Sequence, residues 1–339
     1  MTLRTGSISL GLIAQVFFML GCDKPPLTSS ESAVQSDSPI IVQNRWARDD
    51  DDDDDGFSLY VSSGETNSVL AYAGETGAFE RRATRRGGLI EPEGLAFGPD
   101  GNLYVSSRSD EVRRYNGKSG KFIGVFASGH GLLDPAGIVF GGPGNDLYVS
   151  SGLTDDGRGN RILRFDGATG AFKAVLDPNN AAGLDDPEAL AFGSDGLLYV
   201  TSTPVDAPGE VIRYNPATNS FVDKFIPAGK SGIVDPTGMV FGRNGDLFIS
   251  SAATSEVKRY DGKTGASKGV FISAGLGGLN EAEGMAFGPN GNLFVASELG
   301  NAVLEYNGSS GAFVREFVRA GSGRLGMPTF ITFGPSAEK

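Results

Sequence analysis

A Phe-Gly pair recurs along this chain at Phe97, Phe140, Phe192, Phe241, Phe287 and Phe333, with successive spacings of 43, 52, 49, 46 and 46 residues. A unit repeated at a near-fixed period cannot bury its own apolar faces and must stack on copies of itself. Such a period accommodates four short strands with their turns, the content of one propeller blade.

The copy from Glu91 to Phe126 shows the chemistry. Gly94 to Phe97 is a short apolar run, and Gly98-Pro99-Asp100-Gly101 turns the chain, Pro presetting φ and Gly supplying φ > 0. Leu103 to Ser107 has the aromatic and β-branched content of a strand and is too short for a helix. Val112 to Tyr115, closed by Asn116-Gly117, and Lys121 to Phe126 complete the unit. Strand two recurs as LYVSS at 147–151, LYVTS at 198–202, LFISS at 247–251 and LFVAS at 293–297. Strand three ends in an aromatic residue and a turn each time, at Phe165, Tyr214, Tyr260 and Tyr306. The residue before each anchor Phe stays small or β-branched, as crowding around an axis requires. Burial of one such Phe contributes roughly 1.5 to 3 kcal/mol.

The two ends carry partial units. Residues 57–83 supply strands two, three and four without a strand one, and Leu325 to Pro335 supplies strand one and stops. Joined, they make one blade, which removes the exposed sheet edges of an open ring. The expected fold class is therefore all-β: a six-bladed β-propeller of four-stranded blades, spanning 57–339 and closed by the C-terminal strand completing the N-terminal blade. The 51 glycines among 339 residues, without a collagen period, suit such turn-rich structure.

Residues 1–22 read as a lipoprotein-type signal peptide. One Arg precedes an apolar run from Ile8 to Leu20, which is short for a bilayer span, and Gly21 precedes Cys22, the only cysteine. Gly21-Cys22 resembles the lipobox of bacterial lipoproteins, and the resemblance implies an exported protein anchored on the extracytoplasmic side through lipid on Cys22; plain secretion with an incidental cysteine is the alternative. One cysteine allows no intrachain disulfide. Residues 23–56 form an acidic tether too poor in apolar residues to offset its ordering entropy, so disorder is expected. Its run Asp49 to Asp55 before Gly56 imitates half of an EF-hand loop, but Ser62 stands where the twelfth-position Glu is required. Loss of Arg4 with the signal takes the net charge from −12 to −13, of which −7 lies in the tether and −6 in the propeller. No basic patch stands out, so nucleic acid is not an expected partner. A monomer is expected.

Neighbouring strands are antiparallel, so the start of strand one and the loop after strand two share one rim, where chemistry collects. Six quartets lead into strand one, and their third residues, Glu93, Ala136, Glu188, Thr237, Glu283 and Thr329, should approach the channel. Glu93, Glu188 and Glu283 fall on alternate blades. Like charges so placed repel unless a cation joins them or protons are taken up, and their hard oxygens suit Ca2+ or Mg2+. A hydrated, charged mouth without a ligand is the plainer alternative. His130, the only histidine, lies in a Gly-rich linker and is a candidate acid or base, against the plainer alternative of a loop histidine. The long loops 152–160 and 203–210 offer Asp155, Asp156, Arg158 and Asp206 as a rim binding surface, or are polar loops without a role. The serines closing strand two recur too regularly to be nucleophiles and are expected to tie loop backbone.

On these repeats, Pro-x-Gly before an apolar strand, Gly-x-Leu-Tyr-Val, then a strand ending in Tyr or Phe, the chain resembles the NHL-repeat six-bladed propellers over 57–335. It has Ser where an Asp commonly closes strand two in that family. Two related enzyme groups have similar repeats. Regucalcin and gluconolactonase-like enzymes hold a divalent metal at inner-strand starts; Glu93-Gly94 resembles theirs, whereas their other metal positions fall on Ala, Thr or Glu here. Streptogramin lyases use more than one histidine, and this chain has His130 alone. Near-identical repeats poor in catalytic side chains favour a membrane-tethered binding or scaffold module for a protein, glycan or small ligand. The alternative is a divalent-metal-dependent hydrolase or lyase at the channel mouth.

Overall fold

The structure, a computed structural model, describes residues 56–152, 159–203, 208–230 and 232–336. These residues form six four-stranded antiparallel sheets. Inner strands touch in a closed cycle: Pro92–Phe97, Pro135–Gly141, Pro187–Phe192, Pro236–Phe241, Ala282–Phe287, Pro328–Pro335, and back to Pro92–Phe97. The fold is an all-β six-bladed propeller. Blade one pairs Pro328–Pro335 with Phe57–Ser63, Ser68–Ala73 and Phe79–Arg82, so the last strand of the chain completes the first blade as expected.

Burial explains why strands two and four read so differently. Leu103–Ser107 is buried along its whole length because both faces meet a neighbouring blade. Phe122–Ser128 lies at the perimeter, and its exposed and covered residues alternate.

One aromatic contact joins every blade to the next. Tyr60 meets Phe97 at 4.9 Å between ring centroids, Tyr104 meets Phe140 at 4.8 Å, and Tyr148 meets Phe192 at 5.4 Å. Tyr199 meets Phe241 at 5.1 Å and Phe248 meets Phe287 at 5.3 Å, all edge to face. Such pairs contribute about 0.5 to 1.5 kcal/mol beyond burial. The anchor Phe is thus the socket for the preceding blade.

Nearer the axis, backbones approach closely. A Cβ on Gly94 would lie 2.4 Å from the Ala136 carbonyl oxygen, and one on Gly137 would lie 2.3 Å from that of Glu188. No larger residue fits at either position without displacing the next blade.

The serines act as the sequence implied. The last residue of each second strand donates to the carbonyl of one loop residue and accepts from the same residue's N–H. Ser107 does so with Ile90, both at 3.0 Å, and Ser297 with Asn280 at 3.0 and 2.9 Å. Ser63, Ser151, Ser202 and Ser251 repeat the clamp on Gly326, Leu133, Asp185 and Val234. The preceding serine reaches the next blade: Ser62, Ser106 and Ser150 donate to the carbonyls of Glu93, Ala136 and Glu188 at 2.5, 2.6 and 2.7 Å.

Candidate functional site

The quartets that the sequence places just before strand one belong to that strand. Pro92 pairs with Ser107 and Leu95 with Val105, so Glu93 and Gly94 together face the single residue Ser106 in a β-bulge. The same two-against-one step occurs at 136–137, 188–189, 237–238, 283–284 and 329–330. A bulge bends the strand and re-aims one side chain. Here it frees Gly94, Gly137, Gly238 and Gly284 to pack on the next blade, and Glu93, Glu188 and Glu283 each hold the first position of the bulge in alternate blades.

A second feature recurs with the bulge. The residue two positions before it in each blade has left-handed backbone: Glu91, Asp134, Asp186, Asp235, Glu281 and Met327, with φ between 36° and 57°. Non-glycine residues rarely adopt this region, and six in register mark an imposed geometry. The preceding blade supplies the restraint. Asn67 Oδ1 accepts from Glu91 N–H at 2.7 Å, Asp110 Oδ1 from Asp134 at 2.9 Å, and Asn160 Oδ1 from Asp186 at 3.2 Å. Ser255 Oγ accepts from Glu281 at 2.8 Å and Asn301 Oδ1 from Met327 at 2.8 Å.

The three predicted glutamates share one electrostatic environment. Burial pushes the Glu93 carboxyl up to about 8, opposed by Arg108 and assisted by Asp134, Glu298 and Glu91. Glu188 is raised well above the usual range by burial and then by Glu93, Asp186, Asp235 and Asp134. Glu283 is raised well above it by burial, Glu298, Glu188 and Glu93. Burial and neighbouring acids also raise Asp186, to about 6, and Glu298. Among the described residues, Arg108 is the cation paired with these acids, 3.0 Å from Glu91, 3.1 Å from Asp134 and 3.8 Å from Glu93.

Glu281 and Glu298 complete what sequence reasoning missed. With Glu283 they form, among the described residues, a carboxylate group whose ligand atoms all lie within 4.8 Å of one another. Glu281 was visible as the first residue of its quartet. Glu298 carried one signal, its place directly after strand two on the same rim.

His130 is exposed and stacked flat on Phe172, the first residue of an outer strand, with ring centroids 4.2 Å apart. Among the described residues it shares no hydrogen bond or ion pair with the glutamates. Cys22, Asp155, Asp156, Arg158 and Asp206 lie outside the described residues.

No protein-family model matches the chain, and no curated protein matches it. Solved structures do. A chain from a crystal structure of a nidogen/laminin complex superposes with a TM-score of 0.64 at 17% identity, over 84% of this chain and all of that one. A protein of unknown function from Bacteroides caccae superposes with a TM-score of 0.61 at 15% identity, over 84% of this chain and all of its own. At these identities the likeness is one of fold.

Proposed function

We propose that this chain is a non-catalytic binding propeller of the NHL-like kind, held on the extracytoplasmic side of a bacterial membrane by lipid on Cys22. Its acidic channel mouth receives a protein, glycan or small ligand through a positively charged group on that ligand. The observation that carries the reading is that burial first, and neighbouring carboxylates second, raise Glu93, Glu188 and Glu283 together: Glu93 acts on both Glu188 and Glu283, Glu188 acts on Glu283, and Arg108 opposes the shift at Glu93. Such carboxyls hold protons until a cation replaces them, so ligand binding would release protons. A chain of similar fold occurs in the nidogen/laminin complex, which is in keeping with this reading.

Peptides, glycans and polyamines screened in EDTA against the wild type and a Glu93→Gln, Glu188→Gln variant test this reading. A ligand whose affinity falls at least tenfold in the variant, and with added salt, supports it. Ligands that bind both proteins equally contradict it. Mass spectrometry of the mature amino terminus tests the anchor: diacylglyceryl on Cys22 is expected, and an unmodified terminus would leave a secreted protein.

The second reading, a metal-dependent hydrolase or lyase, is favoured by the proximity of Glu281, Glu283 and Glu298. Lactone hydrolysis or lyase turnover that needs Ca2+, Mg2+ or Mn2+ would establish it.

A further inference from the structure

The repeats provide an internal comparison at the mouth. Glu281, Glu283 and Glu298 of blade six occupy the positions of Glu91, Glu93 and Arg108 in blade two, since Ser297 and Ser107 are matching strand ends. In blade two the third position is a cation, and its guanidinium bridges both glutamates at 3.0 and 3.8 Å. In blade six the same position is a carboxylate.

Three acids therefore face one another where the sister blade holds two acids and a positive charge. Glu283 is only 7% exposed, and no hydrogen bond or ion pair reaches its carboxylate from any described residue. A carboxylate so buried is normally paired. In blade six no described residue supplies the pairing group, which leaves room for a proton or a bound cation.

We propose that Glu281, Glu283 and Glu298 bind one Ca2+ ion in the place that Arg108 fills in blade two. Ligand atoms within 4.8 Å of one another can converge on one ion, and three carboxylates in an irregular set suit Ca2+, which takes flexible oxygen coordination, better than Mg2+, which demands near-ideal octahedral geometry. Three carboxylates supply three to six oxygens, and water from the channel completes the six to eight that calcium takes. The site lies within one blade, whereas a central ion would be shared by Glu93, Glu188 and Glu283 of three blades. It leaves one net negative charge at blade six, and it does not depend on which partner the mouth receives.

Calcium binding to the purified, EDTA-stripped chain, measured calorimetrically without any partner, tests the proposal. The wild type should bind one tight Ca2+, with Mg2+ at least tenfold weaker and a melting temperature several degrees higher with calcium than with EDTA. Glu298→Arg should lose the tight site while melting in EDTA at least as high as the wild type, because the blade-two bridge is restored. Subtracting its titration also removes weak binding by the Asp49–Asp55 run. Arg108→Glu should raise the stoichiometry to two. No tight calcium in the wild type, or calcium retained by Glu298→Arg and lost with Glu93→Gln, Glu188→Gln, would overturn the assignment. Because these measurements use calcium alone, their failure leaves the partner-binding screen in EDTA unaffected.

Discussion

Phe294 of blade six meets Phe333 of the closing strand edge to face, with centroids 5.0 Å apart and planes at 79°. This is the contact that joins every other pair of adjacent blades, here made between the last blade and the strand that returns to the first. Closure of the ring repeats the packing used throughout it. Phe333→Ala should destabilise the propeller by on the order of 3 kcal/mol. Deletion of 325–339 should lower the melting temperature by many degrees. Thermal and urea unfolding measure both, and unchanged melting after the deletion would remove this closure.

The serine clamp predicts a cost out of proportion to one hydroxyl. Ser297→Ala removes a donor and an acceptor at once and strands the Asn280 N–H and carbonyl beside a buried strand end. The expected loss is about 1 to 3 kcal/mol, read as a lower urea midpoint with an unchanged slope. A Ser309→Ala control, on an exposed turn, should change little.

Raised carboxyl pKa values make stability depend on pH with a definite sign. Between the unfolded value of about 4.5 and the folded value of about 8, Glu93 is protonated in the native state and ionised in the unfolded one. Stability from this group is complete below about 4.5 and falls as pH rises to about 8, by at most about 1.4 kcal/mol per pH unit. Asp186 adds the same trend below about 6. In EDTA the chain should therefore melt higher at pH 5 than at pH 8. The Glu93→Gln, Glu188→Gln variant should flatten the profile, and a wild-type profile that rises from pH 5 to 8 would contradict this.

The opposite face predicts the reverse dependence at lower pH. Asp246 is nearly buried and accepts from Arg259 Nε and Lys268 Nζ, both at 2.6 Å. Burial opposes its ionisation, but these hydrogen bonds outweigh it and hold its pKa below the ordinary range. The stability it contributes is present above the ordinary carboxylate pKa and is lost as pH falls through the folded one. Asp246→Ala leaves two cations without their partner and should cost on the order of 3 kcal/mol at pH 7, with a smaller difference from wild type near pH 2.

Blade number, strand order and the shared first blade were legible because the Phe-Gly period and strand chemistry repeat in the sequence. Even the serine pairs could be read, since a hydroxyl that recurs in every blade must serve the blade. The bulge was not legible. It arises because inner strands crowd until only a small residue fits at Gly94 or Gly137, a condition set by the neighbouring blade. Without it, the quartets seem to precede the strand they open. Glu298 was missed for a related reason: its meaning appears only when its contacts are compared with those of Arg108.

The central claim is that alternate blades bring Glu93, Glu188 and Glu283 into one mouth where they cannot all ionise at neutral pH. A 13C NMR titration of glutamate carboxyls in the metal-free protein tests it most directly, with assignment from the three single Gln variants. Glu93 should titrate near pH 8, and Glu188 and Glu283 well above the usual glutamate value. All three titrating together between about pH 4 and 5, as free glutamates do, would contradict the account.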